Sequence, residues 1–596
     1  MLFPSLRSLV LLCAFVCLLP AVLPAQGSPL PVDATETYDF LRRVVVRYGF
    51  ADLPRPATDL SLRPTDRAGA VRLAKTYYSR YGDGMSRVDR YRFRRFFDDN
   101  NEWLAVPPLA DTTDGDRAAF WSGDDFSVAA TRSPLYRTQK PLLGQFYATP
   151  AHLLAVNRPA FFLRLNPIVD LRYGKQRNDA EDYFYNRRGV RLRMGVDDRI
   201  FVHFDILETQ AGLPDYVRQF RSRFGGLPGA GFLKRYQLDL ANVSQGVDFL
   251  NGQGYLSVDL TPHVGARFGY GRHFIGDGER SLLLSDFSNN YPYLELNWRI
   301  WRLHYRNIFA ELTAGPQGTN AGNPLPKKYL AAHHLSLNVG QRLTFGLFEA
   351  VVLSRDGGFD LAYLNPVILY RTIEQSVGSP DNAVVGLTAR YRSPWRVEAY
   401  GQFVLDEFKF DELFVERRGW WANKFGYQLG ARYVDAFGLD QLDLVAERNF
   451  VRPYTFTHRT LSSYTHFAMP LAHPLGANFT ETVLGADYRP LPRLHLRPRL
   501  LFIRQGEGTN DRVVGENLNR PHTLREMDFG NEVGQGVGYR NVLLSLRASY
   551  ELYPNLWVEA DYLRRSKDSD DDARDLETTV INLGVRWNVA RATPLF

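Results

Sequence analysis

The sequence predicts a closed antiparallel outer-membrane β-barrel of about eighteen strands, preceded by a small N-terminal α-helical periplasmic module. Three observations carry that reading. Apolar and polar residues alternate with a period of two over much of the chain from about residue 140 onward. The connections between these segments alternate between short and long, which places turns on one rim and loops on the other. The mean hydropathy of −0.29 is too low for a bundle of membrane helices but suits a barrel, in which only alternate residues face lipid.

The elements follow in chain order. Met1 to Arg7 and the apolar run Leu9–Leu23, closed by Pro24-Ala25-Gln26, read as a cleaved signal peptide over residues 1–25. Both cysteines of the chain, Cys13 and Cys17, lie inside it, so an exported mature chain has no disulfide, no Cys-ligated zinc and no Cys nucleophile. Residues 26–110 read as the helical module. Asp33-Ala34-Thr35-Glu36 has capping-box spacing and opens a helix through Tyr48 that Gly49 stops. Thr65-Asp66 can cap a second helix, with Val71, Ala74, Tyr78 and Tyr81 on one face and Gly82 and Gly84 at its end. A third carries Val88, Tyr91 and Phe96 before Trp103. Its arginines (Arg87, Arg90, Arg92, Arg94, Arg95), mixed with Asp89, Asp98 and Asp99, read as a solvated face. Pro107-Pro108 and the stretch Asp111 to Asp116 mark the boundary with the barrel domain, 111–596.

The last strand is the clearest: Thr579, Ile581, Leu583, Val585, Trp587 and Val589 share one face, and Asn582, Gly584, Arg586 and Asn588 the other. Ile581, Leu583, Val585 and Trp587 are expected to face lipid, and Arg586 and Asn588 the lumen. Val542–Leu552, Leu294–Ile300 and Val397–Phe403 repeat the pattern. Long connections are expected at 174–184, 210–235, 272–290, 315–328, 355–381, 406–423, 452–478, 505–535 and 566–576. Turns are expected at Asp197-Asp198, near Gly252, and at Trp301, Gly340-Gln341, Ser393-Pro394, Phe437-Gly438, Pro490-Leu491-Pro492 and Tyr553-Pro554-Asn555. An even strand number returns the C-terminus to the turn rim, and the chain ends in Phe596, as substrates of the barrel assembly machinery commonly do.

Charge and motifs exclude several functions. The net charge of +7 is modest for 596 residues and no long basic block concentrates it, so no nucleic-acid partner is indicated. The chain lacks HExxH, GxSxG, a phosphate loop and a dinucleotide fingerprint, and no cofactor is expected. His333 and His334 are adjacent on a strand and point to opposite faces. Asp568, Asp570, Asp571 and Asp572 lack calcium-loop spacing and read as a solvated loop.

Two long loops stand out. One contains Arg272, Asp277, Arg280 and Asp286, and the other Asp360, Asn365, Arg371, Glu374, Asp381 and Asn382. Their polar residues suit tight turns and buried networks, and their apolar residues are too many for a mobile loop, so both are expected to fold inward over the lumen. These stretches, GRxFIGDGxRSLLLSDF (Gly271 to Phe287) and FDLAYLNPVxxYRxxE…DN (Phe359 to Asn382), resemble the Wzi-type capsule assembly family. The likeness is strongest to its Bacteroidetes branch, which includes the gliding motility protein RemB. Tyr38 to Arg63 is similar to the family's N-terminus. The resemblance implies an eighteen-stranded outer-membrane barrel with a periplasmic helical bundle, located in a Gram-negative bacterium. It further implies a surface lectin that holds capsular polysaccharide or, in the gliding branch, a role in motility or adhesion.

The leading expectation is therefore a non-enzymatic barrel for assembly or attachment of surface polysaccharide; the alternative is a porin-like channel for small hydrophilic solutes. Expected partners are surface polysaccharide, outer-membrane lipid and the barrel assembly machinery, with gliding or secretion machinery added in the gliding branch. Glycans are held by aromatic faces and planar charged groups, so Trp420, Trp421, Arg417 and Arg418, with Tyr454 and Phe456 in the next loop, are the candidate ligand residues. The competing reading places these rings in the aromatic girdle.

Overall fold

The computed structural model describes residues 28–49, 59–104 and 147–590, apart from 159, 198, 316–324, 356–357, 368, 377, 379–380 and 460. The expected signal peptide, the boundary near 107–116 and the terminal Phe596 lie outside the described residues.

Eighteen strands close the barrel. They are β1 (Phe161–Gln176), β2 (Asp182–Val196), β3 (Ile200–Gly212), β4 (Val243–Asp259), β5 (Val264–Gly271), β6 (Tyr291–Ile300), β7 (Leu303–Thr313), β8 (Lys327–Val339) and β9 (Leu343–Leu353). There follow β10 (Asn382–Arg392), β11 (Val397–Glu407), β12 (Lys424–Tyr433), β13 (Leu442–Val451), β14 (Phe479–Leu491), β15 (Leu494–Glu507), β16 (Val537–Tyr553), β17 (Leu556–Ser569) and β18 (Leu576–Trp587). All pair antiparallel. β18 returns to β1, with Val580 opposite Gln176 and Trp587 opposite Val169, so no edge of the ladder is left open. No helix among the described residues is long and apolar enough to cross a membrane. The strands do the crossing.

Side-chain parity sorts the wall as the alternation predicts. On β18, Ile581, Leu583 and Val585 are exposed on the outside, while Asn582 and Arg586 are buried in the lumen. Arg586 there meets Glu559 at 3.2 Å and Glu36 of the N-terminal module at 3.3 Å. Val589 leaves the outer face and is buried with Ile168 and Leu207.

Several expected boundaries move. Gly252 lies mid-strand in β4, paired with Ile206 of β3, and the turn comes at 260–263. The pairing continues through Gly252 because β3 pairs with residues 247–258 without a break. The 174–184 and 566–576 connections shrink to 177–181 and 570–575, since the polar residues assigned to loops are lumenal or rim positions of long strands. The 210–235 loop holds a helix, Asp215–Phe224.

The N-terminal helices α1 (Thr35–Tyr48), α2 (Arg67–Tyr81) and α3 (Arg87–Asp99) sit inside the short-turn end. Phe40, Phe93, Phe96, Phe97, Tyr38 and Tyr77 form their common core, Phe40 and Phe93 meeting edge to face at 5.0 Å. Ser86 caps α3 by accepting the Asp89 N–H at 3.1 Å, and Gly49 ends α1 with a φ of 66°. α1 carries no side-chain cap, because Ala34 rather than Asp33 stands at the capping position. The arginine face of α3 is solvated only in part: Arg87, Arg90 and Arg94 are exposed, but Arg92 lies over the Phe40 ring at 4.9 Å. Arg43 of α1 anchors the module to the β12–β13 turn, bonding Asp443 and Asp435 (2.5 Å) and lying 3.5 Å from Asp89. Burial works against the Arg43 charge, but Asp443, Asp89 and Asp435 outweigh it and raise the pKa above its ordinary value. Burial also opposes ionisation of Asp89, yet Arg43 and Arg47 hold its carboxyl below the usual range.

Above the module, the loop 272–290 runs down the lumen as expected. Phe274 and Ile275 pair antiparallel with Arg63 and Leu62 of the N-terminal segment. The Gly276 N–H donates to the Ser61 carbonyl at 2.9 Å, and Arg42 of α1 donates to the Asp277 carbonyl at 2.9 Å. Gly276 has a φ of 150°, and a Cβ there would strike the Gln402 amide of the wall. Loop and module thus join end to end inside the barrel. Leu282, Leu283 and Leu284 pack with Ile308, Leu330, Phe348 and Val352 of the inner wall and with Phe456, Tyr464 and Leu471 of the 452–478 loop.

The second motif loop goes the other way. The loop 359–382 is expected over the lumen, but its described residues up to Asp381 fold back on the outer wall. Tyr363, Tyr370 and Ile373 cover Phe309 of β7, Ala331 of β8 and Val351 and Leu353 of β9. These four have the opposite parity to the lumenal Ile308, Ala332, Ala350 and Val352. The physical reason is that β7 to β9 are apolar on both faces at this end, so each face needs its own protein cover.

Candidate functional site

The long-loop rim brings 408–423, 452–478 and 508–536 together. Gly530 N–H donates to the Arg418 carbonyl at 2.8 Å, Asn531 N–H to Gly419 at 2.9 Å, and Trp421 N–H to Asp528 at 2.9 Å. Gly419, at a φ of 68°, permits that close approach: an added Cβ would lie 2.8 Å from the Asn531 nitrogen.

At this seam the two tryptophans sit half-buried, their rings 6.2 Å apart at 64°. Trp421 packs against His522 at 4.7 Å and edge-on to Tyr454 at 6.3 Å, with the Arg525 guanidinium 4.2 Å from its ring centre and Lys424 Nζ at 5.1 Å. Lys409 Nζ lies 5.9 Å from the Trp420 ring centre. Trp421 is thus wedged between loops, whereas Trp420 keeps more of its ring free.

Arg417 is exposed and donates to the Phe414 carbonyl at 3.1 Å. Arg418 pairs with Glu412 and lies 4.4 Å over Phe529. Tyr454 and Phe456 do not line the rim. Both are fully buried, and the Tyr454 hydroxyl donates to the Val513 carbonyl at 2.8 Å, so Tyr454 supports the seam from below. Sequence reasoning missed Lys424, His522, Arg525 and Phe529, because the pairing of remote loops leaves no local signal. Lys424 Nζ is buried against the Thr457 carbonyl (3.2 Å), His522 Nδ1 (3.3 Å) and Glu407 (3.4 Å). Burial, and then the Lys424 charge, push His522 and His458 down to about 4, so both rings are neutral at neutral pH. The rim also exposes Phe410, Phe414, Val415, Leu524 and Met527. Aromatic edges beside fixed cations suit a sugar ring with acidic or hydroxyl substituents.

The motif residues hold loops rather than line an open site. Arg272 donates to the Asp286 carbonyl at 2.6 Å, Asp277 accepts from Arg390 at 2.8 Å, and Arg280 pairs with Glu481 at 3.1 Å. On the outer wall, Asp381 binds Arg355 through both oxygens (2.6 and 2.7 Å) and accepts the Tyr363 hydroxyl at 2.8 Å. Asp360 accepts the Ala362 N–H at 3.1 Å, Asn365 that of Val367 at 3.1 Å, and Glu374 pairs with Arg371 at 2.9 Å. Asn382 alone of this group points inward, donating to Phe456 at 3.3 Å. No group of three or more His, Cys, Asp or Glu able to hold a metal occurs among the described residues.

No protein-family model and no curated protein matches the chain. Solved structures do. The chain is similar to Wzi, described as an outer-membrane protein involved in group 1 capsule assembly in Escherichia coli and as a carbohydrate-binding β-barrel. The TM-score is 0.54 at 12% identity, covering 95% of this chain and 100% of Wzi. Weaker matches include Acinetobacter baumannii OccAB2 and Pseudomonas aeruginosa OprD, at TM-scores of 0.40 and 0.38 and 10% identity, each over 71% of this chain and 98% and 94% of theirs. At these identities the likeness is one of fold, and the fold is that of an outer-membrane β-barrel.

Proposed function

We propose that this chain is a non-enzymatic outer-membrane barrel that attaches surface polysaccharide at its long-loop rim, the helical module facing the periplasm. The observation that carries the reading is the half-buried tryptophan pair with Arg417, Arg525 and Lys409 around it, set above a lumen packed with inward loops. Such a rim offers stacking faces and charges to a polymer, and weak contacts gain strength by repetition along the chain. The carbohydrate-binding description of Wzi supports it. The packed lumen argues against the channel alternative. The motif likeness to the gliding branch extends the proposal to cell-surface motility, with partners in the gliding or secretion machinery.

Trp420→Ala with Arg417→Ala removes the freer ring and the exposed cation without touching the wedge at Trp421. Capsule retention and polysaccharide pull-down are expected to fall at least about tenfold, the effect of losing roughly 1.4 kcal/mol, with heat-modifiable migration unchanged. Unchanged retention and pull-down would refute the site. Scoring the deletion strain for both capsule retention and surface spreading separates the capsule role from motility.

A further inference from the structure

The outward-folded loop leaves an apolar crest that the capsule reading does not use. It starts at the long-loop rim and descends the wall. The Pro366 carbonyl accepts from Tyr305, and also from Asn307 at 3.1 Å. Tyr305 is the third residue of β7, next to the short-turn rim. The loop therefore spans most of the height of the strand.

Beneath it lies a polar row facing outward. Asn307 of β7 is opposite His333 of β8, and His333 opposite Glu349 of β9. His333 Nε2 and Glu349 lie 3.0 Å apart, and Trp298 donates to Asn307 at 3.0 Å. The next residue in that row is Val385 of β10, and in the row below Leu335 and Leu347 lead to Leu387. Val385, Leu347 and Leu387 are exposed, at 41%, 57% and 49%. The polar row is thus level with bare apolar wall.

The loop satisfies that row and is satisfied by it. Glu349 accepts the N–H groups of Tyr370 and Arg371 at 2.8 and 2.7 Å, at the start of the short helix Tyr370–Ser376, and the Tyr370 ring stacks on His333 at 4.5 Å. On its outer side the loop shows Leu361 (77% exposed), Leu364, Val367 (83%) and Leu369 (65%). An irregular backbone is tolerated in a bilayer only where its polar groups are covered by protein; the Pro366 carbonyl and the Tyr370 and Arg371 N–H groups turn inward onto the wall, while the exposed Arg371 side chain pairs with Glu374 at 2.9 Å.

We propose that the described residues of 361–369 form a strap embedded in the hydrocarbon layer, with Leu361, Leu364, Val367 and Leu369 in contact with the acyl chains of the surrounding membrane. The continuity of this crest with the exposed Val385, Leu347 and Leu387 assigns lipid, rather than a protein partner, as its occupant. The strap replaces a polar strip of wall by an apolar one. This inference does not depend on the glycan reading.

Cys13 and Cys17 are the only cysteines of the chain, so in a C13A/C17A background one introduced cysteine is labelled uniquely. Leu361→Cys, Val367→Cys and Leu369→Cys would each carry an environment-sensitive fluorophore in the full-length protein in phosphatidylcholine liposomes. Leu387→Cys on the bare wall and Asn510→Cys on an exposed loop serve as references, and heat-modifiable migration confirms folding. The strap labels are expected to be quenched by acyl-chain doxyl lipid to the same extent as Leu387 and to resist aqueous iodide. Quenching by iodide like that of Asn510 would overturn the proposal. Protection from both quenchers would overturn it too, since the crest would then be covered by a second copy or another protein.

Discussion

The loops 272–290 and 354–381 are both rich in Gly, Asp, Asn and Leu, yet one descends the lumen and the other the outer wall. They are held by the same device. Glu447 of β13 accepts the N–H groups of Glu279 and Arg280 at 2.8 and 3.2 Å, as Glu349 accepts those of Tyr370 and Arg371. Glu447 points inward and Glu349 outward. A one-residue difference in parity along a strand thus decides on which side a loop is captured. Loop composition says that a segment will be packed, and the wall says where.

The largest test removes the two carboxylates. Glu349→Leu strands two amides in hydrocarbon and is expected to cost on the order of 4 kcal/mol. Glu447→Leu strands two beside other lumenal polar groups, Gln428 and Asn449, that can rebond them, and is expected to cost about 2 kcal/mol. Urea midpoints read by heat-modifiable migration measure both, and equal losses would mean that the two loops share one solvent environment. Next, Gly276→Val should cost about 2–3 kcal/mol through its backbone angle and the clash with Gln402. It should expose the inward loop to protease while leaving the strap protected.

The third test is pH. The Asp89 carboxyl is held below its ordinary value by Arg43 and Arg47. Its contribution is therefore complete above the unfolded pKa near 3.9 and is lost as pH falls through the lower folded value. Acidification below about pH 4 should release the module, and with it the base of the inward loop, but not the strap. Asp89→Asn should flatten that acid limb in proteolysis-monitored unfolding. The smallest effect is Tyr305→Phe, which removes one of the two donors to Pro366 and is expected to cost about 1 kcal/mol, confined to the strap.

The barrel was legible because its signals are local and repeated. Alternation on β18 and tight turns such as Tyr553-Pro554-Asn555 need no knowledge of distant residues. The helix start at Asp66 was legible for the same reason. Gly252 misled because an Asn-Gly pair is the usual mark of a turn, and only the neighbouring strands show that it is not. The strap had a signal that alternation alone overlooks: β9 ends Phe348-Glu349-Ala350-Val351-Val352-Leu353, apolar on both faces around one outward carboxylate. Such a run needs protein on each side. The rim was half legible, since Trp420, Trp421, Arg417 and Arg418 do gather there, but the burial of Tyr454 follows from the 508–536 loop, more than 50 residues away.

The joints of the N-terminal module also set an order of assembly. Arg42 meets Asp277 across 235 positions of sequence, Arg43 meets Asp443 across 400, and Glu36 meets Arg586 across 550. Contacts so distant in sequence form late, because the intervening chain must first be brought into place. The helices come off the ribosome before the strands, but the last of the groups that receive them, Arg586, is in place only once β18 has formed. A segment synthesised before the strands is thus fully seated only after them, and until then its aromatic core must hold together on its own.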